Sequence, residues 1–139
     1  MTDTIILASA SPRRIELIKR ITDDFKVVPS SADESIHNEV KAADIPVILS
    51  QRKAEDVAKA YSDDTVIGCD TVVIAGDEVL GKPIDKEDAR RMISLLSGRS
   101  HYVVTGVTII NRGKETSFAE TTEVVFRSLS EAEIEEYIS

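Results

Sequence analysis

The sequence predicts an α/β protein with a three-layer fold around a central mixed β-sheet. Early strand-like and helix-like segments alternate along the chain, which is typical of parallel strands covered by helices. Residues 65–75 are β-branched and apolar almost throughout, as expected of a strand that is covered on both faces. Residues 101–110 and 115–129 are strand-like and flank Asn111-Arg112-Gly113, a sequence suited to a hairpin turn. The hairpin predicts an antiparallel part of the same sheet.

Each remaining element has its own local signal. Ser11 is a good N-cap and Pro12 stands where proline opens a helix, so a turn should join an apolar strand at residues 5–8 to a first helix. The other predicted elements are a strand at 25–28, a helix that begins near 44–46, a helix capped by Asp85 and ended by Gly98, and a final helix opened by the capping box Ser130–Glu133. In that final helix Ile134, Tyr137 and Ile138 should share one apolar face.

Charge and composition exclude several classes of function. The 139 residues suit one domain, and 25 acids against 17 bases give a formal net charge of −8. Binding to nucleic acid or to an anionic membrane surface needs clustered positive charge, so neither partner is expected. Cys69 stands alone and cannot form an internal disulfide, which fits a reducing compartment. The sequence shows no signal peptide or membrane span, and we expect a cytoplasmic protein.

The turn between the first strand and the first helix carries a candidate phosphate cradle. Arg13 and Arg14 follow Pro12 directly, where the helix dipole makes each cation unfavourable by about 0.3–1 kcal/mol. An anion would offset that cost, and Ser9, Ser11, backbone N–H groups and two guanidiniums form a plausible phosphate site. In the alternative interpretation the arginines are solvated or pair with surface acids.

Asp70 is the sharpest single residue, because a carboxylate inside an apolar strand is costly unless it is paired, hydrogen-bonded or metal-bound. It could instead face solvent at a strand end or bridge to an arginine. Asp33 and Glu34, in a polar loop, could join it around Mg²⁺. Lys82 lies on a stiff turn. Lys53 should be a surface lysine unless the fold brings it to the cradle, and Cys69 is a small buried residue rather than a nucleophile.

Six short motifs in this order resemble the Maf family, nucleoside triphosphate pyrophosphatases also described as septum-formation inhibitors. They extend over nearly all of the chain, and together they are far more specific than any one alone. The matching pieces are Leu7-Ala8-Ser9-Ala10-Ser11-Pro12-Arg13-Arg14, Asp33-Glu34-Ser35, Gln51-Arg52-Lys53-Ala54, Asp70-Thr71-Val72-Val73, Gly81-Lys82-Pro83, and Leu96-Ser97-Gly98 with His101 and Thr105-Gly106-Val107.

The resemblance implies a fold and an activity. Family members have a mixed sheet and a central cleft, similar to inosine triphosphate pyrophosphatases, and are often dimeric. They split a nucleoside triphosphate into the monophosphate and pyrophosphate with a divalent metal, Mg²⁺ or Mn²⁺, in nucleotide pool house-cleaning. Arg13 after Ser11-Pro12 and Thr71 after Asp70 resemble the dTTP/UTP-type subgroup. The alternative function is a non-catalytic, nucleotide-binding regulator of cell division.

The same resemblance implies roles for individual residues. Asp70 matches the catalytic acid that activates water and, with Glu34, would hold the metal. Lys53 and Lys82 match other catalytic residues of the cleft. The substrate-binding positions are Ser9, Ser11, Arg13, Arg14, Glu34 and Thr71. Family members continue beyond the last residue here, and the final predicted helix has no stop signal. We therefore expect a single Maf-like domain, residues 1–139, that lacks its C-terminal segment.

Overall fold

A computed structural model of the chain describes residues 4–32, 41–81 and 83–139. Within these ranges the elements alternate as the sequence predicts, with a short 3-10 turn before the second helix. Their bounds are β1 (Ile5–Leu7), α1 (Pro12–Lys19), β2 (Phe25–Val27), α2 (Ile45–Ala58), β3 (Thr65–Ala75), β4 (Glu78–Leu80), α3 (Lys86–Leu96), β5 (Ser100–Asn111), β6 (Lys114–Val125) and α4 (Glu131–Ile138). The predicted α/β class is confirmed.

The strands form one mixed sheet in the order β2-β1-β3-β5-β6, with β4 paired to β3. β1 is parallel to both of its neighbours, and Ile5 lies opposite Phe25 in β2 and Thr65 in β3. β4 is antiparallel to β3, with Val73 opposite Leu80. Arg112 and Gly113 turn the chain between β5 and β6, and both have positive φ, as a two-residue hairpin of type I′ requires.

The described residues divide into two compact units. The first comprises the residues up to Thr71 together with Thr105–Glu120, and the second comprises Val72–Val104 and Thr121–Ser139. Each unit has its own apolar cluster. That of the first is formed by Ile6, Ala8, Ala54, Val57, Val66 and Ile110, and that of the second by Ala75, Leu80 and Leu96.

Two glycines let α2 lie unusually close to the sheet in the first unit. A Cβ atom on Gly68 of β3 would stand 2.4 Å from the carbonyl oxygen of Ser50, and one on Gly106 of β5 would stand 2.3 Å from the carbonyl carbon of Pro46. A buried hydrogen bond of 2.7 Å between the hydroxyls of Ser50 and Thr108 joins the same helix to β5. The backbone of α2 is therefore fixed against two strands at once.

Helix ends follow the predicted chemistry. Ser11 and Asp85 cap α1 and α3 with their side chains, and Ser130 and Glu133 form a complete capping box on α4. Gly98 follows α3 in the left-handed region, at φ 68°. By their spacing Ile134, Tyr137 and Ile138 share one side of α4, as expected, although Ile134 is buried while Tyr137 is 76% exposed.

Candidate active site

The turn between β1 and α1 is held by its own serines. The buried Ser9 hydroxyl accepts a hydrogen bond from the Ser11 N–H group at 3.1 Å. The Ser11 hydroxyl accepts one from the Arg14 N–H group at 3.4 Å, as an N-cap does. Since a hydroxyl also carries one proton to donate, both serines keep a donor for a ligand. In the predicted cradle, the hydroxyl oxygens of the two serines therefore stabilise the turn itself.

β3 continues where β1 has ended, and this leaves a carbonyl group open. The last ladder bond between these strands runs from the Ala8 N–H group to the Ile67 oxygen, at 2.9 Å. The carbonyl of Cys69, two residues further along the strand, points to the same side, and no strand of the described residues pairs with it there. It accepts hydrogen bonds from Arg14 Nη1 at 3.1 Å and from Lys53 Nζ at 3.3 Å. Because β1 ends here, the Arg14 and Lys53 side chains can both donate hydrogen bonds to one backbone oxygen.

Asp70 and Lys53 form an ion pair beside that carbonyl. Lys53 Nζ lies 3.0 Å from Asp70 Oδ1, and the two side chains are only 14–15% exposed. The pair exists because Gly68, on the same face of β3 as Asp70, lets α2 approach closely. The fold thus brings Lys53 inward, away from the surface position that its place in the sequence favours. The partner of Asp70 is this lysine and not an arginine.

Arg14 lies on the opposite face of β3. Arg14 Nη2 donates to Thr71 Oγ1 at 3.0 Å, and the Thr71 side chain leaves the strand on the side away from Asp70, since successive side chains alternate. Thr71 Oγ1 in turn lies 3.1 Å from Thr105 Oγ1 of β5. Arg13 is exposed, and among the described residues its side chain makes neither a hydrogen bond nor an ion pair. The two arginines of the predicted cradle therefore stand in different environments.

Cys69 is a free cysteine that is partly buried, where the sequence predicts a buried one. Burial raises the pKa of its thiol, and the nearby Arg14 and Lys53 charges offset this increase only in part. The thiol is therefore protonated near neutral pH and is a weak nucleophile.

Other predicted site residues cannot be placed. Glu34, with its neighbour Asp33, and Lys82 lie outside the described residues. Within the described ranges, no three His, Cys, Asp or Glu side chains come together as a metal cage. Asp70 fits a different kind of site, because Mg²⁺ is commonly held by one or two carboxylates together with substrate phosphates. Its second oxygen, Oδ2, accepts no hydrogen bond from the described part of the chain.

Thr105 belongs to the Thr105-Gly106-Val107 motif of the family resemblance but is not one of the predicted site residues. Threonine is common in strands, so its presence in β5 carries no functional signal of its own. Its contact with Thr71 depends on the sheet order, which places β5 beside β3.

Comparison with known proteins identifies a family and named relatives. A family model described as Maf-like protein matches residues 4–139. The dTTP/UTP pyrophosphatase of Bacillus cereus (strain G9842) is 44% identical over 135 residues, which are 97% of this chain and 71% of that protein. The protein of the same name from Halalkalibacterium halodurans is 40% identical over 134 residues, or 96% of this chain and 70% of the relative.

Solved structures show the same fold at low sequence identity. The Staphylococcus aureus Ham1 protein superposes with a TM-score of 0.60 at 18% identity, over 86% of this chain and 70% of its own. Protein VC0702 from Vibrio cholerae superposes with a TM-score of 0.53 at 7% identity, over 91% of this chain and 65% of its own. In the described ranges no helix has both the length and the apolar character to cross a membrane. The motifs, the sheet and the family match together show that this chain belongs to the Maf family.

Proposed function

We propose that this protein is a nucleoside triphosphate pyrophosphatase that hydrolyses dTTP or UTP to the monophosphate and pyrophosphate. The observation that carries the proposal is the largely buried Asp70–Lys53 pair, in which Lys53 shares the Cys69 carbonyl with Arg14 of the serine turn. A carboxylate able to accept a proton thus lies beside cations able to hold phosphates. The names of relatives at 40–44% identity supply the substrate class. Removal of these triphosphates would contribute to nucleotide pool house-cleaning.

The proposed roles follow from residue chemistry. Asp70 would orient or deprotonate the attacking water, with Lys53 holding the carboxylate in place. Arg13, Arg14, Ser9 and Ser11 would bind phosphate oxygens through charge-assisted hydrogen bonds and neutralise charge on the leaving pyrophosphate. Thr71, Glu34 and Lys82 complete the proposed set of substrate contacts and catalytic groups.

A divalent cation belongs to the proposal. Asp70, with Glu34 as its proposed companion, would hold Mg²⁺ or Mn²⁺ together with the phosphates of the substrate. The ion would supply charge neutralisation on the polyphosphate and a more acidic water. The residues of this chain then set where the substrate lies and where the proton of the water goes.

Product analysis tests the proposal directly. The protein is incubated with a panel of nucleoside triphosphates, with and without Mg²⁺ or Mn²⁺, and the products are followed by phosphorus NMR. We expect pyrophosphate and a monophosphate from dTTP and UTP. Orthophosphate with a diphosphate would contradict the assigned reaction, and tight binding without turnover would favour the non-catalytic regulator.

The proposal also covers the oligomeric state and the cellular location of the protein. We infer a cytoplasmic homodimer from the reducing-compartment signal of the lone Cys69 and from the habit of the family. Sedimentation equilibrium over a range of protein concentrations measures the oligomeric state, and fractionation of cells that express the protein measures its location.

A further inference from the structure

Two threonine hydroxyl groups form a hydrogen-bonded row that ends at the Arg14 guanidinium. Arg14 Nη2 donates to Thr71 Oγ1 at 3.0 Å, and Thr71 Oγ1 lies 3.1 Å from Thr105 Oγ1. Arg14 Nη1 donates to the Cys69 carbonyl at 3.1 Å. A guanidinium group is planar and rigid, so two contacts from different nitrogens fix the orientation of its plane. The other N–H groups of Arg14 remain as donors for an anion.

Thr105 limits how Thr71 can turn. A threonine side chain has a few staggered χ1 positions, and the one that places Oγ1 between Arg14 and β5 is held by the hydroxyl of Thr105. A guanidinium donates hydrogen bonds and accepts none, so Thr71 must receive the bond from Arg14. The Thr71 proton is then free to point at Thr105. The three side chains are thus linked by hydrogen bonds from α1 across β3 to β5.

We propose that Thr105 is a positioning residue for triphosphate binding, acting through Thr71 on the guanidinium plane of Arg14. The inference rests on the proposed function, because it takes the anion at the serine turn to be the triphosphate of the substrate. Thr105 itself does not touch the substrate in this account. Its effect must therefore vanish when Thr71 can no longer transmit it.

A double-mutant cycle tests this transmission. Thr105→Val keeps the shape of the side chain and removes the hydroxyl, Thr105→Ser keeps the hydroxyl, and Thr71→Val removes the intermediate group. We expect Thr105→Val to raise KM for UTP by about 5- to 10-fold, as contacting residues in one network do, with kcat changed less than about twofold. Thr105→Ser should restore most of the affinity. Thr71→Val/Thr105→Val should bind no more weakly than Thr71→Val alone.

The matched control is Thr122→Val, a substitution of an exposed threonine on β6 that should leave KM and kcat unchanged. If the KM increase of the double variant equals the product of the increases in Thr71→Val and Thr105→Val, the proposal is overturned. Such a result would show that Thr105 acts independently of Thr71. A Thr105→Ser variant as weak as Thr105→Val would overturn it too, since the hydroxyl would then be irrelevant. Melting temperatures of all variants show whether any change in KM reflects loss of folded protein.

A spectroscopic readout separates this inference from the proposed function. Nitrogen NMR of the guanidinium groups, with Arg14 assigned by its loss in Arg14→Lys, reports how fast the group rotates. We expect restricted rotation in the wild type and faster rotation in Thr105→Val, without any nucleotide. If the wild type fails to hydrolyse any triphosphate, the proposed function falls while this measurement still stands. Unchanged rotation in Thr105→Val would overturn the positioning role whatever the activity.

Discussion

At the scale of single residues, the central feature is an ion pair whose two side chains are largely buried from solvent. Lys53 and Asp70 are 3.0 Å apart with side chains 14–15% exposed, so each would be costly to keep charged without the other. Such pairs add little net stability, since desolvation offsets most of the attraction. Under the proposed function, the pair serves the chemistry of its carboxylate rather than the stability of the fold.

Replacement of Asp70 by asparagine tests that interpretation. Asp70→Asn keeps the shape of the side chain but removes the base, so we expect turnover of UTP to fall about 10²-fold or more, the usual size of a general-base effect. Binding of a non-hydrolysable UTP analogue, followed by calorimetry, should persist. Asp77→Asn, on an exposed turn, is the control and should keep full turnover. Near-normal turnover in Asp70→Asn would show that Asp70 is structural.

Single residues also show what the sequence could and could not predict. Asp70 could be selected because one acid in an apolar strand is visible without any structure. The pairing with Lys53 could not, because it depends on how closely α2 approaches β3. The sequence predicts the same phosphate-binding role for Arg13 and Arg14. In the structure, Arg14 donates hydrogen bonds to the Cys69 carbonyl and to Thr71, whereas Arg13 is exposed. Local motifs reveal residue chemistry, and tertiary contacts decide the partners.

At the scale of elements, the position of α2 is decided by two glycines. A glycine inside a strand signals that some backbone comes near, and Gly68 could be identified in this way from the sequence. Which element approaches was not predictable, because α2 reaches Gly68 of β3 and Gly106 of β5 together. β4 also escaped prediction, since a three-residue strand between a turn and an irregular segment has too little periodicity.

Substitution of Gly68 should therefore disturb both stability and the site. In Gly68→Ala the new Cβ would meet the Ser50 carbonyl at 2.4 Å, so α2 must shift and carry Lys53 with it. We expect a loss of about 1–3 kcal/mol in the free energy of unfolding, as for other overpacked sites, measured by urea denaturation. Gly81→Ala is the stability control, because a Cβ there meets nothing within 4 Å. Equal stability of Gly68→Ala and the wild type would contradict the close approach of α2.

The capping box of α4 gives a prediction for pH. The Arg127 side chain, with help from the Ser130 N–H group, lowers the pKa of Glu133 from 4.5 to about 2. A carboxyl group whose pKa is lower in the folded state stabilises the fold above its unfolded value, and that contribution disappears as pH falls from about 4.5 to about 2. Glu133→Ala should therefore lower the melting temperature at pH 7 and have little effect near pH 2.

The control for this element is Glu136→Ala, an exposed acid later in the same helix. It should change the melting temperature little at either pH. A Glu133→Ala difference that is as large at pH 2 as at pH 7 would show that the side chain acts by packing, and that its charge is unimportant.

At the scale of the whole molecule, fold class and charge were the most predictable properties. The mixed sheet follows from the order of its segments, since alternating strands and helices favour parallel pairing and a hairpin favours antiparallel pairing. The net charge of −8 is likewise read from composition alone. Against that background the positive groups of the first unit, Arg13, Arg14 and Lys53, form a local exception in an acidic protein.

This contrast between local and overall charge predicts which polyanions compete with the substrate. A triphosphate needs only a few cationic contacts, and inorganic tripolyphosphate presents the same charged group without a base. A DNA duplex needs a long run of cations, because each neutralised phosphate adds to its affinity, and an overall charge of −8 opposes its approach. We expect tripolyphosphate to inhibit hydrolysis of UTP competitively, with metal kept in excess, while a 20-base-pair duplex (about 38 phosphates) does not inhibit at physiological salt. Inhibition by the duplex at micromolar concentration would mean that the cations of the turn belong to a wider basic surface, and that the site is not built for a short polyphosphate.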